Sequence, residues 1–185
     1  MKLISSARSV WRMKFCAAIA ALVAGFLLAG CNKQPKTPAV PPSIETSLPT
    51  QAQARLPSLK LWIGSEEMIT EMALTEIQMQ TGMMFRTNIE ENEGMIFPFP
   101  SPRRVSFWMK NCPQSLSAAY LSTDGVIREI HHFEKENTNA VVAASEDIQF
   151  VLETKDGWFQ RHNIGTGVVV RSEFGPLTKT FQPKR

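Results

Sequence analysis

The sequence predicts an α+β domain with a small, mostly antiparallel β-sheet, or a barrel-like sheet, and one or two short helices. Several short segments alternate apolar and polar residues, as half-buried strands do, beginning at residues 59–63. Asp124-Gly125 separates two such segments and is typical of a tight hairpin turn. Thr75 and Gln78 have the spacing of a helix capping box. Many short strands with few helices favour this class.

The individual elements follow from the same patterns. A helix is predicted to begin after Thr75 and to end near Gly82, because glycine readily adopts the backbone conformation that terminates helices. The alternate prolines of residues 98–102 predict an extended loop. A second helix of one or two turns is predicted at 156–162. Strands are predicted at residues 59–63, 67–71, 94–97, 104–110, 118–123, 126–133, 148–153 and 167–171.

Residues 1–30 have the composition of an export signal. Four basic residues and no acidic one precede an apolar run at 15–30, which ends in small residues. As a helix, this run would extend about 24 Å, less than the roughly 30 Å of a hydrocarbon core. We therefore predict a signal peptide rather than a membrane-spanning helix.

The segment Leu28-Ala29-Gly30-Cys31 resembles the lipobox of bacterial lipoproteins. The resemblance implies cleavage before Cys31, acylation of its sulfur with chains such as palmitate, and acylation of the new amino group. Two or three acyl chains hold a protein firmly at a membrane. The predicted location is the cell envelope, on the periplasmic face of a membrane in a Gram-negative cell, and Asn32 favours the outer membrane. A plain signal or an uncleaved anchor remains the alternative.

The mature chain divides into a tether and one domain. Residues 31–58 carry six of the twelve prolines and no aromatic residue, a composition typical of an extended spacer. Residues 59–185 are predicted to form a single compact domain. The overall content of 43% hydrophobic and 20% charged residues excludes a wholly disordered or fibrous chain.

The net charge of +3 is carried by the predicted signal. The signal holds four of the twenty basic residues and none of the seventeen acidic ones. Cleavage leaves sixteen basic against seventeen acidic side chains, a net charge of −1 before the termini are counted. Because the remaining chain is nearly neutral, no nucleic-acid partner is predicted.

Four segments in fixed order carry a family resemblance. They are GMMFR at 82–86, GMIF at 94–97, FWMKN at 107–111 and Asp124-Gly125. A later FVLE strand at residues 150–153 precedes two glycines. Over residues 59–171 the chain resembles the domain of unknown function 192 family, whose members are often exported or lipid-anchored. The resemblance implies a small β-rich α+β domain and no established reaction.

The chain departs from the usual family pattern just after FWMKN. The family usually has proline, leucine and aspartate there, whereas this chain has Ser115, Leu116 and Ser117. Any role that the resemblance would give to that aspartate is therefore not carried over to this chain.

The FWMKN segment holds the candidate ligand site. In a strand at 104–110, Trp108 shares one face with Lys110, two residues away, and Arg104, four residues away, an arrangement suited to cation–π contact or ligand stacking. Trp108 is predicted to stack on an anionic or carbohydrate-like ligand, with Lys110 and Arg86 supplying positive charge. Asn111 would supply hydrogen bonds. The alternative is that Trp108 packs beneath the proline loop and Lys110 pairs with a nearby carboxylate.

Cys112 is the single thiol expected after cleavage and acylation, so no internal disulfide is predicted. As a nucleophile it would need a base or cation nearby, and only His131, His132 and His162 offer an imidazole. Adjacent strand residues point to opposite faces, so His131 and His132 are not expected to share a metal ion. No metal or cofactor is predicted.

Two classes of function stay open. One is an envelope binding or accessory module that recognises a small molecule or an envelope protein. The other is a small enzyme that uses the FWMKN region or Cys112. A titratable group within hydrogen-bond reach of a partner inside a pocket would favour the enzyme.

Overall fold

A computed structural model describes residues 49–181 of the chain. The predicted signal, Cys31 and the tether up to residue 48 lie outside the described residues. Within the described range, no helix combines the length and hydropathy that crossing a membrane would require.

The described residues form ten strands and three short helices. In chain order these are β1 (Ser58–Ile63), β2 (Glu66–Met72), α1 (Glu76–Thr81), β3 (Glu93–Arg103), β4 (Ser106–Phe107), β5 (Leu116–Ser122), β6 (Ile127–Phe133), β7 (Val141–Val142), β8 (Ile148–Lys155), α2 (Trp158–Arg161), β9 (Val170–Ser172), β10 (Gly175–Pro176) and α3 (Leu177–Thr180). Eight strands form one sheet in the order β10-β9-β1-β2-β3-β8-β5-β6, and β4 pairs with β7. The neighbours are antiparallel except β2 and β3, which are parallel. The predicted α+β class is confirmed.

The sheet is not a closed barrel. β10 and β6 form its two edges. An isolated bridge between Val126 and Val169 joins the segments that precede β6 and β9, but it does not continue into a ladder. Because a barrel requires continuous pairing around the sheet, the barrel-like alternative is wrong.

The two local signals in the sequence are confirmed. Gly125 joins β5 to β6 with φ of +76°, and a Cβ there would lie 2.5 Å from the carbonyl oxygen of Val170. Thr75 Oγ1 accepts a hydrogen bond from the Gln78 amide at 3.3 Å, and Gln78 Oε1 accepts one from the Thr75 amide at 3.0 Å. This reciprocal capping box begins α1, which ends at Gly82 with φ of +46°.

The proline segment and the strand after it differ from prediction. β3 continues through the prolines to Arg103, although its pairing with β8 is interrupted between Pro98 and Arg103. The predicted strand at 104–110 shortens to β4, because its partner β7 is only two residues long. Although the strand is shorter than predicted, these side chains still point to the predicted sides, since Val105 and Met109 are buried and Trp108 is exposed.

The central strands are buried on both sides. Alternate residues along them enter two apolar clusters, one on each face of the sheet. Met95, Tyr120 and Val151 belong to the face that we call the Met95 face. Ile96 and Leu152 belong to the opposite face. Every residue of β5 is buried as a result.

The last residues of the predicted tether contact the domain. Gln53 Nε2 donates to the Gly82 carbonyl at 2.9 Å, and the Leu56 amide donates to Glu71 Oε2 at 2.8 Å. Leu56 also packs against the cluster on the Met95 face. The tether segment next to the domain is therefore attached to it.

Candidate functional site

A pocket of about 330 Å³ opens beside Trp108 on the Met95 face of the sheet. We call it the Trp108 pocket. Its volume lies at the lower end of the range of small-molecule sites, which is about 300–1,000 Å³. Four aromatic residues, three methionines and two glutamates stand among its lining, namely Phe97, Phe99, Phe107, Trp108, Met79, Met83, Met84, Glu76 and Glu153.

The aromatic wall is built from β3 and β4. The Phe107 ring meets Phe97 edge to face at a centroid distance of 5.2 Å and meets Phe99 at 6.4 Å. These contacts hold the rings in preferred aromatic geometry. Helix α1 and the residues after it supply the methionines, and the capping box fixes where that helix begins.

Glu153 is the ionisable residue that the central sheet contributes to the pocket. It lies on β8 between β3 and β5, opposite Met95 and Ala118, and follows Val151 on the same face. Glu153 is only 5% exposed, and no hydrogen bond or charge from residues 49–181 contributes to the shift in the pKa of its carboxyl. Its oxygens are not among the fully enclosed unpaired polar atoms of the described chain, so they open onto the pocket. Burial raises the pKa of its carboxyl to about 8. A buried carboxyl without a donor is unusual in a folded protein.

Cys112 also lines the pocket but is a poor nucleophile. It is 5% exposed. Burial, and then the nearby charge of Glu153, raises the pKa of its thiol to about 12. No histidine in the described part of the chain lines this pocket. His131, His132 and His162 instead face carboxylates elsewhere. The described residues therefore give Cys112 no imidazole base.

Trp108 and Lys110 form the exposed edge of the site. Trp108 is 42% exposed, and the Lys110 Nζ lies 5.4 Å from the centroid of its ring. This is a cation–π contact within the protein itself. Lys110 is not among the pocket lining, so its charge lies at the tryptophan rather than inside the cavity.

Arg86 points to a different partner. Its guanidinium nitrogens contact both oxygens of Glu71, at 2.6 Å and 2.8 Å. The two side chains are 10% and 8% exposed, respectively. Burial acts to raise the pKa of Glu71, but hydrogen bonds from Arg86, Leu56 and Arg55 hold it below its ordinary value. The Arg86 charge is therefore committed to an internal ion pair.

Asn111 contributes through its backbone. Its carbonyl accepts a hydrogen bond from the Phe85 amide at 2.7 Å, and it has φ of +59°. Phe85 has φ of +61°, so two non-glycine residues in left-handed backbone face each other here. Of the four predicted ligand residues, the structure brings Trp108 and Lys110 together, while Arg86 and Asn111 do not line the Trp108 pocket.

Glu153 is a residue of the candidate site that the sequence alone does not predict. The available signal is an acidic residue at the end of the largely apolar segment 148–153, on the same strand face as Val151. For a metal, the described residues offer no cluster of three or more His, Cys, Asp or Glu side chains. The candidate site is therefore an aromatic and methionine-lined pocket with one buried carboxyl.

Comparison with known proteins places this fold among uncharacterized proteins. The model of the DUF192 family, described as an uncharacterized ACR, matches residues 60–172. None of the curated proteins matches the chain.

Two solved structures are similar. A candidate transcription regulator from Sinorhizobium meliloti 1021 has 24% identity and a TM-score of 0.60, over 65% of this chain and 98% of its own. A protein of unknown function from Novosphingobium aromaticivorans DSM 12444 has 27% identity and a TM-score of 0.56, over 62% of this chain and 83% of its own. At 24% identity, the first likeness shows the fold alone.

Proposed function

This chain belongs to the DUF192 family of uncharacterized proteins, and from that premise we propose that it is an exported lipoprotein whose domain binds a compact ligand in the Trp108 pocket. The observation that carries the proposal is the pocket itself. Convergent aromatic and thioether groups around a single buried polar group are typical of small-molecule sites. The exposed Trp108 ring offers a stacking surface at its edge.

Binding fits this site better than catalysis. A nucleophilic mechanism would need a thiol with a lowered pKa, whereas the pKa of Cys112 is raised to about 12. Acid–base catalysis by a pair would need a partner hydrogen-bonded to Glu153, but burial raises the pKa of both nearby titratable groups, Cys112 and Tyr120, and the Tyr120 hydroxyl donates to the Val141 carbonyl. We therefore place the enzyme hypothesis second, supported only by the raised pKa of Glu153.

The lining bears on the charge of the ligand. Its ionisable carboxyl groups are Glu76 and Glu153, and no Lys, Arg or His of residues 49–181 lines it. The anionic ligand expected from the sequence gains no support from this lining. Stacking on Trp108 remains part of the proposal.

The binding test uses the full-length protein labelled with 5-fluorotryptophan, because the chain has only four tryptophans. A library of small neutral, cationic and anionic aromatic compounds is added, and ¹⁹F NMR resonances are followed. Binders are expected to move the Trp108 resonance, assigned with Trp108→Phe, while Trp62 and Trp158 stay in place. If no compound in the library moves Trp108 at millimolar concentration, the binding proposal is wrong.

The lipoprotein proposal is tested by Cys31→Ser. Removing the thiol that would be acylated is expected to abolish labelling by radioactive palmitate and to release the protein from the membrane fraction. Cys112→Ser is the matched control, because this buried cysteine lies inside the folded domain. Unchanged palmitate labelling of the Cys31→Ser protein would contradict the proposal.

A further inference from the structure

We infer that the Trp108 pocket binds an organic cation, whose ammonium or amidinium group pairs with the Glu153 carboxylate while its apolar body contacts the aromatic wall. The inference rests on the proposed function, since it names the ligand class of the same pocket. Three features of the described residues carry it.

The first feature is the unpartnered carboxyl. Glu153 is only 5% exposed, and no hydrogen bond from the described residues contributes to the pKa of its carboxyl. Its cross-strand neighbours Met95 and Ala118 are apolar. Tyr120, whose pKa is affected by the Glu153 charge, donates its hydroxyl to the Val141 carbonyl at 3.0 Å instead. Buried carboxylates are normally paired, so a donor supplied by a ligand would complete this site.

The second feature is the sign of the charge around the cavity. Glu76 and Glu153 line it, whereas no basic residue of the described chain does. Lys110, the cation at the edge, already rests over the Trp108 ring. An anion inside the cavity would oppose ionisation of Glu153 and meet no compensating cation, whereas a cation would stabilise the ionised carboxylate, so the lining favours a cation.

The third feature is the aromatic wall. Phe97, Phe99, Phe107 and Trp108 all line the pocket. The faces of aromatic rings carry negative charge density and attract cations, more strongly where water is excluded. Methionine sulfurs beside them are polarizable and adapt to ligands of varied shape. A cation with an apolar body matches both parts of the pocket.

A second pocket gives a useful contrast. It has a volume of about 550 Å³ and is lined by residues that include Leu74, Phe150 and Phe181. No ionisable side chain is among its lining in the described chain. The larger pocket, whose lining also includes Thr123, Gln149 and Thr178, therefore offers a mixed polar and apolar surface without a counter-charge, and a cation is expected to prefer the smaller one.

The experiment compares three probes that share a phenyl ring and a short chain: 2-phenylethylamine, 2-phenylethanol and 3-phenylpropanoate. Each is titrated at pH 8, where the Glu153 carboxyl is about half ionised and an aliphatic amine is protonated. The Trp108 resonance of the fluorinated full-length protein reports binding. The amine is expected to bind about tenfold more tightly than the alcohol, the effect of one charge-assisted hydrogen bond. The anion is expected to bind most weakly.

Two variants distinguish the contribution of the buried Glu153 carboxyl to binding from that of the exposed Glu76 carboxyl. Glu153→Gln keeps the shape of the side chain and is expected to weaken the amine about tenfold while changing the alcohol less than about twofold. Glu76→Gln is the matched control, because Glu76 is exposed on α1 and should change the affinity for the amine by less than about threefold. The ranking of the probes on the unaltered protein holds as a test even if a variant fails to fold.

The outcomes distinguish a failure of the cation inference from a failure of the proposed function. If the alcohol or the anion binds as tightly as the amine, the cation inference is overturned and the pocket remains a ligand site. An affinity for the amine that survives Glu153→Gln overturns it in the same way. If none of the three probes, and no compound of the library, moves the Trp108 resonance, the proposed function itself fails.

Discussion

Arg86→Ala is expected to lower the free energy of unfolding by about 3–5 kcal/mol, the usual cost of breaking a buried ion pair from one side. Arg86 contacts both Glu71 oxygens, and the two side chains are 10% and 8% exposed. Removing the guanidinium leaves a buried carboxylate that has lost its main counter-charge. Urea denaturation followed by circular dichroism measures the difference between variant and parent.

Arg55→Ala is the matched control, because Arg55 contacts the same carboxylate at 2.9 Å from an exposed position. Its side chain is 62% exposed, so the expected cost is less than about 1 kcal/mol. Equal losses from the two substitutions would contradict the claim that burial makes the Arg86–Glu71 pair strong. A small loss from Arg86→Ala alone would show that Arg55 and the Leu56 amide satisfy Glu71 without it.

The parts of the fold that the sequence predicts correctly depend on neighbours in the chain. The Gly125 turn and the capping box of Thr75 and Gln78 each form within four or five consecutive residues. The strand predicted at 104–110 depended on a distant partner instead, and β7 pairs with only two residues of it. Alternation still predicted which side chains face inward, since Val105 and Met109 are buried.

The prolines of β3 show a second limit of prediction from local sequence. They remove backbone donors, which is why a loop was predicted. β2 pairs with β3 only as far as Ile96, so beyond that point no strand on that side requires a donor. Proline is tolerated at such edges. Whether a proline lies at an edge is decided by the length of another strand, which local sequence does not reveal.

In the candidate site, too, features that depend on neighbouring residues are predicted and features that depend on distant residues are not. The exposure of Trp108 followed from alternation, and its contact with Lys110 followed from their spacing. Arg86 was assigned to a ligand because its partner, Glu71, lies fifteen residues earlier on another element. Local sequence does not predict the role of Glu153, because its burial arises from two flanking strands that are distant in sequence. Long-range packing, rather than residue type, determines both of these roles.

Glu153→Gln is expected to remove a pH dependence from the stability of the domain. Burial raises the carboxyl pKa from 4.5 to about 8 in the folded protein, so the folded state holds a proton that the unfolded state releases. The stabilisation is complete below about pH 4.5 and is lost as the pH rises through about 8. The full loss corresponds to about 5 kcal/mol, at about 1.4 kcal/mol for each pH unit between the two values. The glutamine variant cannot ionise and should lack this loss.

Urea denaturation at intervals from pH 5 to pH 9 measures the effect as the stability of the variant minus that of the parent, which should rise with pH. The surface residue His132, whose pKa is raised by Asp156, titrates equally in both proteins and cancels. In the folded protein Cys112 and Tyr120 titrate above this range because burial raises the pKa of each, and their ionisation in the unfolded state is common to the variant and the parent. A difference that stays flat would mean that the Glu153 carboxyl finds a donor in the folded protein.

Glu129→Gln provides a control, because Glu129 gives the stability of the domain a pH dependence of the opposite sign. Burial acts to raise the Glu129 pKa, but hydrogen bonds from Ser145, the Ala144 amide and His131 outweigh it and lower the pKa to about 2. This carboxylate therefore stabilises the fold above about pH 4.5 and loses that contribution as the pH falls toward 2. Its substitution should cost stability at neutral pH and little near pH 2. Because the two glutamates titrate in separate windows, a change confined to pH 5–8 is attributable to Glu153, the carboxyl on which the ligand proposal depends.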